Sequence, residues 1–180
     1  MINTDCLCVK CREKIPPFLR KRRTRGIEIN YLYDYNQGFK ECLRQYKELN
    51  DYVLYSVFLD RVARKLKKIF KECIIVPVPS SLSAVEKRGF RHVNLVFSTL
   101  GLEVFDCLFK IEQLQQKQLS KAQRSEIRFT GENLEYLNNK RVLLVDDVST
   151  TGSSIINAYT LLASHCASID VLVLSVVEER

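Results

Sequence analysis

The chain predicts an α/β domain with a largely parallel sheet flanked by helices, preceded by a short basic arm that contains cysteines, and three observations carry that prediction. Apolar strand-like runs alternate with stretches of helical period, the order that builds a parallel sheet through crossover helices. Val142–Val145 is a β-branched and leucine run with no polar interruption, which reads as a strand buried on both faces. It leads straight into Asp146-Asp147-Val148-Ser149-Thr150-Thr151-Gly152-Ser153-Ser154, so a polar turn lies at the carboxyl end of that strand. In open α/β sheets ligands bind at that end.

In chain order, residues 1–30 form the arm and residues 31–180 the domain. Ile27–Tyr35 reads as a strand, Asn36-Gln37-Gly38 as a turn and Phe39–Tyr46 as a short helix. From Asp51 to Phe70 the apolar residues Leu54, Phe58, Val62, Leu66 and Phe70 recur every fourth position, which is one face of a helix. Then follow strand Ile74–Val78, a polar turn at Ser80-Ser81, helix His92–Leu100 and strand Val104–Phe109. A long polar loop, Glu112–Arg128, precedes strand Arg141–Val145, helix Ser153–Ser164 and strand Ile169–Val177.

The turn after Val145 has the chemistry of a phosphate-sugar site. Its small residues, Ser149, Thr150, Thr151, Gly152, Ser153 and Ser154, let backbone N–H groups approach a phosphate. Ser153 or Ser154 can cap the following helix, whose N-terminal dipole favours a dianion. Asp146 and Asp147 would repel that anion unless a divalent metal or sugar hydroxyls intervene, so the ligand carries both. A Walker A loop is excluded, because no Gly-Lys-Ser/Thr is present. Arg88, Arg91, Lys121 and Arg124 read as loop cations able to reach a pyrophosphate at the same sheet edge, against the ordinary alternative of solvated surface charge. Ser80 and Ser81 would offer backbone amides there, and Gln118 is a further contact candidate.

The stretch Val142–Ser154 resembles the phosphoribosyl pyrophosphate (PRPP) motif of the type I phosphoribosyltransferases. The resemblance implies that Asp146 and Asp147, the catalytic pair, hold the ribose hydroxyls, Asp147 less directly. It also implies that the Ser149–Ser154 loop wraps the 5′-phosphate of PRPP or of a 5′-phosphorylated nucleotide, with Mg²⁺ bound. The polar loop 112–128 would then close over PRPP and exclude water. Some members of that group have a carboxylate where Thr150 stands, and here that proton acceptor is missing.

Four motifs in order narrow the resemblance: Val76-Pro77-Val78-Pro79-Ser80-Ser81, Lys87-Arg88-Gly89-Phe90, Gln118-Leu119-Ser120-Lys121 with Arg124, and Val145-Asp146-Asp147-Val148 with Thr150-Thr151-Gly152. From Tyr31 onward the chain resembles the ComF family of bacterial competence proteins. That implies a role in natural transformation, helping single-stranded DNA into the cytoplasm alongside a helicase-like ATPase. The alternative is an active transferase that moves phosphoribosyl from PRPP to a nitrogen acceptor while Mg²⁺-pyrophosphate leaves, chemistry that needs mainly positioning and charge neutralisation.

The arm is chemically distinct. Residues 1–25 hold eight Lys or Arg against Asp5 and Glu13, so they carry +6 of the chain's net +7. Their densest run, Arg20, Lys21, Arg22, Arg23 and Arg25, can neutralise nucleic-acid phosphates, and the domain's strands and core are expected to begin after it. Cys6, Cys8 and Cys11 resemble part of a zinc knuckle, but tetrahedral Zn²⁺ takes four ligands. A fourth would come from elsewhere or from another subunit; otherwise the arm is a truncated, non-binding remnant of such a knuckle, or its thiols are free. Cys42, Cys73, Cys107 and Cys166 sit among apolar neighbours and read as reduced thiols of a cytoplasmic protein. The polar N-terminus shows no signal peptide, and no apolar run approaches the ~18 residues of a membrane span, so any membrane association would be through partners. The two histidines, His92 and His165, read as ordinary surface or core residues rather than members of a hydrolytic triad.

Overall fold

Residues 7–111 and 129–177 are described by the computed structural model. In chain order they form α1 (Val9–Glu13), β1 (Arg20–Thr24), β2 (Ile27–Asp34), α2 (Gln37–Glu48), α3 (Ala63–Ile69) and β3 (Cys73–Pro77). Next come α4 (Leu82–Arg88), α5 (His92–Ser98), β4 (Leu108–Lys110), β5 (Phe129–Gly131), β6 (Arg141–Ser149), α6 (Ser153–Leu162) and β7 (Ser168–Val176). Five strands make one sheet in the order β1-β2-β7-β6-β3. β2, β7, β6 and β3 are parallel, and β1 joins β2 as an antiparallel edge.

Both faces of the sheet are covered, which is why β6 tolerates an unbroken apolar run. Val142, Leu143, Leu144 and Val145 expose none of their surface. Side chains alternate across a strand. Leu143 and Val145 therefore meet Phe39, Tyr46, Phe58 and Phe97 on one face, while Val142 and Leu144 meet Ile155, Ala158 and Leu162 of α6 on the other.

Four expectations are corrected. The helix expected over 51–70 is two elements, a 3-10 turn at Tyr52–Phe58 and then α3. The Tyr33 hydroxyl donates to the Phe58 carbonyl at 2.7 Å, and the Val62 amide that a continuous helix would place there turns to Leu59 instead. The apolar period still does its work, since Leu54, Phe58, Leu66 and Phe70 are all buried.

The strand expected at Val104–Phe109 touches the main sheet only through a Val104–Ile75 bridge. Asp106 is drawn off by Arg91 and Asn94, and β4 then pairs antiparallel with β5 in a separate two-stranded sheet.

The expected boundary between residues 30 and 31 falls inside β2, and the arm is part of the domain. Arg20–Thr24 is an edge strand, Ile15 is buried, Phe18 N–H donates to the Leu32 carbonyl at 2.8 Å, and Arg12 pairs with Asp60 at 2.5 Å. Charged side chains suit an edge strand because they discourage pairing with another chain, so a cationic strand reads as a linker in sequence. Fourth, the segment after Ser81 is a helix, α4, which places Arg88 at a helix end rather than in a loop.

Candidate functional site

β6 continues four residues past its apolar run, to Ser149, and carries both carboxylates, with Asp146 paired to Val173 of β7. Being consecutive on a strand, Asp146 and Asp147 point to opposite faces of the sheet. Asp146 shares its face with α6, and Asp147 shares its face with α2 and α5.

On the Asp146 side, the carboxylate and residues Val148–Ile155 line a small cleft of about 60 Å³. Its loop turns at Gly152, whose φ of +75° favours glycine, and an added Cβ would stand 2.9 Å from Thr24 Cγ2. The expected capping by Ser153 or Ser154 is corrected. Gly152 occupies the N-cap and has no side chain, so the Thr151 hydroxyl takes over, meeting Ser153 Oγ at 2.9 Å and accepting the Ser153 N–H at 3.4 Å. Asp146 Oδ1 accepts the Asp147 N–H at 2.8 Å, and its other oxygen has no partner among the described residues. Burial and then the adjacent Asp147 charge raise the Asp146 pKa well above the usual carboxylate value, with Lys110 among the opposing influences.

On the other side Asp147 is fully engaged. Its Oδ2 accepts from Lys47 Nζ at 2.5 Å and from His92 Nε2 at 2.6 Å, and its Oδ1 accepts the Val148 N–H at 2.5 Å. His92 Nδ1 lies 2.7 Å from Arg88 Nη1. A guanidinium has donors only, so Nδ1 accepts, Nε2 carries the hydrogen and the ring is neutral. Burial lowers the His92 pKa in the same sense, against the pull of Asp147. Arg88 Nε also donates to the Lys47 carbonyl at 3.1 Å, which closes a ring of contacts from Arg88 through His92 and Asp147 to Lys47. Burial alone would raise the Asp147 pKa, but the His92 hydrogen bond and the Lys47 charge outweigh it and hold the carboxyl well below its usual range.

The structure separates the residues expected to act together. Asp146 and the Ser149–Ser154 loop meet in one cleft, whereas Asp147 belongs to the network behind it. Arg88 turns inward to His92, and the exposed Arg91 pairs with Asp106, so both contact protein groups where loop cations facing a pyrophosphate were expected. Ser81 caps α4 by accepting the Ala84 N–H at 3.3 Å, and Ser80 Oγ stands 3.4 Å from His92 Nδ1 at the end of β3, beside β6. Gln118, Lys121, Arg124 and the polar loop 112–128 lie outside the described residues, as does Cys6. Cys8 and Cys11 are exposed at α1; the Cys11 amide and thiol lower the Cys8 pKa, and the hydrogen bond to Cys8 raises that of Cys11. Among the described residues no three His, Cys, Asp or Glu side chains gather as a metal would need. Within the arm, Arg20 pairs with Asp34 and Lys21 with Glu28, while Arg22 and Arg23 donate to the carbonyls of Val177 and Gly26. Arg25 is exposed at a turn with φ 46°.

Lys47 and the function of His92 went unread in the sequence. Arg88 and His92 stand four apart, but no pattern points from either to Asp147.

A parallel sheet with a diacid and a T-T-G-S-S loop at its carboxyl edge defines a phosphoribosyltransferase-type domain, and the phosphoribosyl transferase domain family model matches residues 54–177. Competence protein ComFC of Streptococcus pneumoniae (strain ATCC BAA-255 / R6) is 31% identical over 157 residues, covering 84% of this chain and 69% of that protein. Competence protein ComFC of Bacillus subtilis (strain 168) is 27% identical over 160 residues, covering 85% of this chain and 64% of that one. The chain therefore belongs to the ComF family of phosphoribosyltransferase-fold proteins, and it spans about two thirds of the length of these relatives. Among solved structures, a hypoxanthine phosphoribosyltransferase from Staphylococcus aureus matches with a TM-score of 0.41 at 13% identity, covering 67% of this chain and 61% of that one. Among the described residues no helix is long and apolar enough to cross a membrane.

Proposed function

We propose that the cleft between Asp146 and the Ser149–Ser154 loop binds PRPP or a 5′-phosphorylated nucleotide with Mg²⁺, and that the protein assists the uptake of single-stranded DNA alongside a helicase-like ATPase. The observation that supports the ligand is the pairing of an open carboxylate oxygen on Asp146 with a glycine-turned hydroxyl loop at the carboxyl end of β6. The loop and the first turn of α6 supply N–H and O–H donors for a phosphate. On this reading Asp146 accepts from the sugar hydroxyls.

The donor set fits Mg²⁺ that arrives with its ligand. One accessible carboxylate suits an ion that keeps most of its waters and takes its remaining oxygens from substrate phosphates. When bound, the metal would neutralise charge on the pyrophosphate. Asp147 keeps β6 in place through Lys47 and His92, and Ser80 lies in the turn that follows β3, on the side to which a pyrophosphate would extend.

Titration calorimetry with PRPP and Mg²⁺ tests the reading. Binding should be clear for the wild type and at least tenfold weaker for Asp146→Ala, and equal affinity in the two proteins would put the ligand elsewhere. Pyrophosphate release in the presence of nucleobases would favour the transferase reading instead.

A further inference from the structure

Surface helices dock through an apolar face, yet α4 buries none of its residues, and Leu82 at its start is 57% exposed. Its last residue supplies a polar attachment instead. Arg88 Nη1 donates to His92 Nδ1 at 2.7 Å, and Arg88 Nε donates to the Lys47 carbonyl at 3.1 Å. Gly89, at φ +82°, then turns the chain in the left-handed conformation that ends a helix, so Arg88 sits beside a pivot. An element with no buried side chains opens at low free-energy cost.

Two donors converge on His92 Nδ1, which has one lone pair. Ser80 Oγ stands 3.4 Å away in the turn after β3, and Arg88 is the nearer at 2.7 Å. With Nε2–H committed to Asp147, the neutral ring accepts one good hydrogen bond, so Arg88 holds it and the Ser80 hydroxyl does not.

Charge gives Arg88 a reason to leave. Arg88 and Lys47 are both cations, and Asp147 is the single anion of the network. Lys47 takes the carboxylate, while Arg88 meets only neutral acceptors among the described residues. One positive charge is therefore unanswered beside the Ser80-Ser81 turn. A diphosphate answers it, because guanidinium and phosphate form paired charge-assisted hydrogen bonds stronger than those to a carbonyl or an imidazole.

We infer that Arg88 is a latch on His92 that a Mg²⁺-diphosphate group opens. The arriving anion draws the guanidinium from Nδ1, the Ser80 hydroxyl donates to the lone pair left behind, and α4 moves with its last residue. His92 is thus a positioning residue for both sides of the site, since one ring holds Asp147 on β6 and, in the opened state, Ser80 after β3. The latch rests on the diphosphate ligand proposed above.

The experiment is nuclear magnetic resonance of the full chain labelled with ¹⁵N-histidine. His92 and His165 are its two histidines, so long-range proton–nitrogen spectra hold two rings, and His165→Gln assigns them. Free His92 should be the Nε2–H tautomer. Mg²⁺-pyrophosphate and Mg²⁺-PRPP should each move its Nδ1 resonance while Nε2 stays protonated and His165 stays still. Ribose 5-phosphate, which lacks the diphosphate, should leave Nδ1 in place. Arg88→Met should put Nδ1 of the free protein where the wild type arrives only with ligand, with circular dichroism melts near wild type. It should weaken PRPP about tenfold and Ser80→Ala about threefold, with ribose 5-phosphate affinity little changed in both. An Nδ1 unmoved by either anion overturns the latch, and if calorimetry shows PRPP bound all the same, the ligand reading survives it. Movement with pyrophosphate but no binding of PRPP would sink the loop reading alone and leave the latch standing. Equal losses of ribose 5-phosphate and PRPP affinity in Arg88→Met would reduce Arg88 to a structural residue and overturn the latch.

Discussion

Asp146 and Asp147 are the same side chain at consecutive positions, yet the two faces of β6 give them opposite characters. On the α6 face Asp146 keeps one oxygen that has no partner among the described residues, and its pKa is raised by burial and by its neighbour. On the other face Asp147 accepts three hydrogen bonds, two of them from side chains on α2 and α5, and its pKa is depressed. The period of two along a strand is enough to divide a diacid into one group available to a ligand and one that fixes the strand. A pair expected to hold the ribose hydroxyls, Asp147 less directly, is divided further here: on the proposed reading Asp146 is the ligand contact and Asp147 its support.

The sharpest break in the comparison should come from Asp147→Ala. That change strands Lys47 and His92 with a lost partner, and removing one member of a buried pair costs about 3–5 kcal/mol. Urea denaturation should show it as a lowered midpoint, whereas a loss under 1 kcal/mol would mean that the network holds little. Asp146→Asn should give the reverse pattern, with PRPP affinity falling about tenfold or more and stability unchanged or slightly higher. Equal losses of stability in the two variants would erase the distinction.

Acid provides a finer comparison. A depressed carboxyl stabilises the fold fully above its unfolded pKa of about 3.9 and loses that contribution as pH falls through the lower folded value. The stability gap between wild type and Asp147→Asn should therefore be widest near neutrality and shrink below about pH 4. A raised carboxyl has the opposite sign: ionised Asp146 opposes folding above about pH 4, so any gain in Asp146→Asn should fade on acidification. Thermal melts of the three proteins between pH 3 and 7 would show whether the two trends diverge.

Much of this architecture was legible in the sequence because it is local. The unbroken run Val142–Val145 announced a strand covered on both sides, and T-T-G-S-S announced the turn that follows it. The supporting network was not legible, because Lys47 and His92 lie 100 and 55 residues from Asp147 and neither stands in a motif. The hydrogen bond from Tyr33 to Phe58, which divides the expected helix over 51–70, joins residues 25 apart and is equally silent in a helical period. The arm misled for another reason. An edge strand needs no apolar alternation, so Arg20–Thr24 gave no strand signal and its place against β2 appears only in the paired register.

The strand order also has a consequence for how the molecule is made. β7, synthesised after every other strand described, lies between β2 and β6, and it pairs Asn30 with Leu172 across most of the chain. During translation the β1–β2 hairpin and the β3–β6 pair can each form, but no strand pairing joins them until β7 has left the ribosome. Until then β2 and β6 present unpaired edges. Such long-range closure is slow and exposes the nascent chain to aggregation. Synthesis halted just before β7 should leave two half-sheets that chaperones must shield, because β7 is the strand that pairs with both.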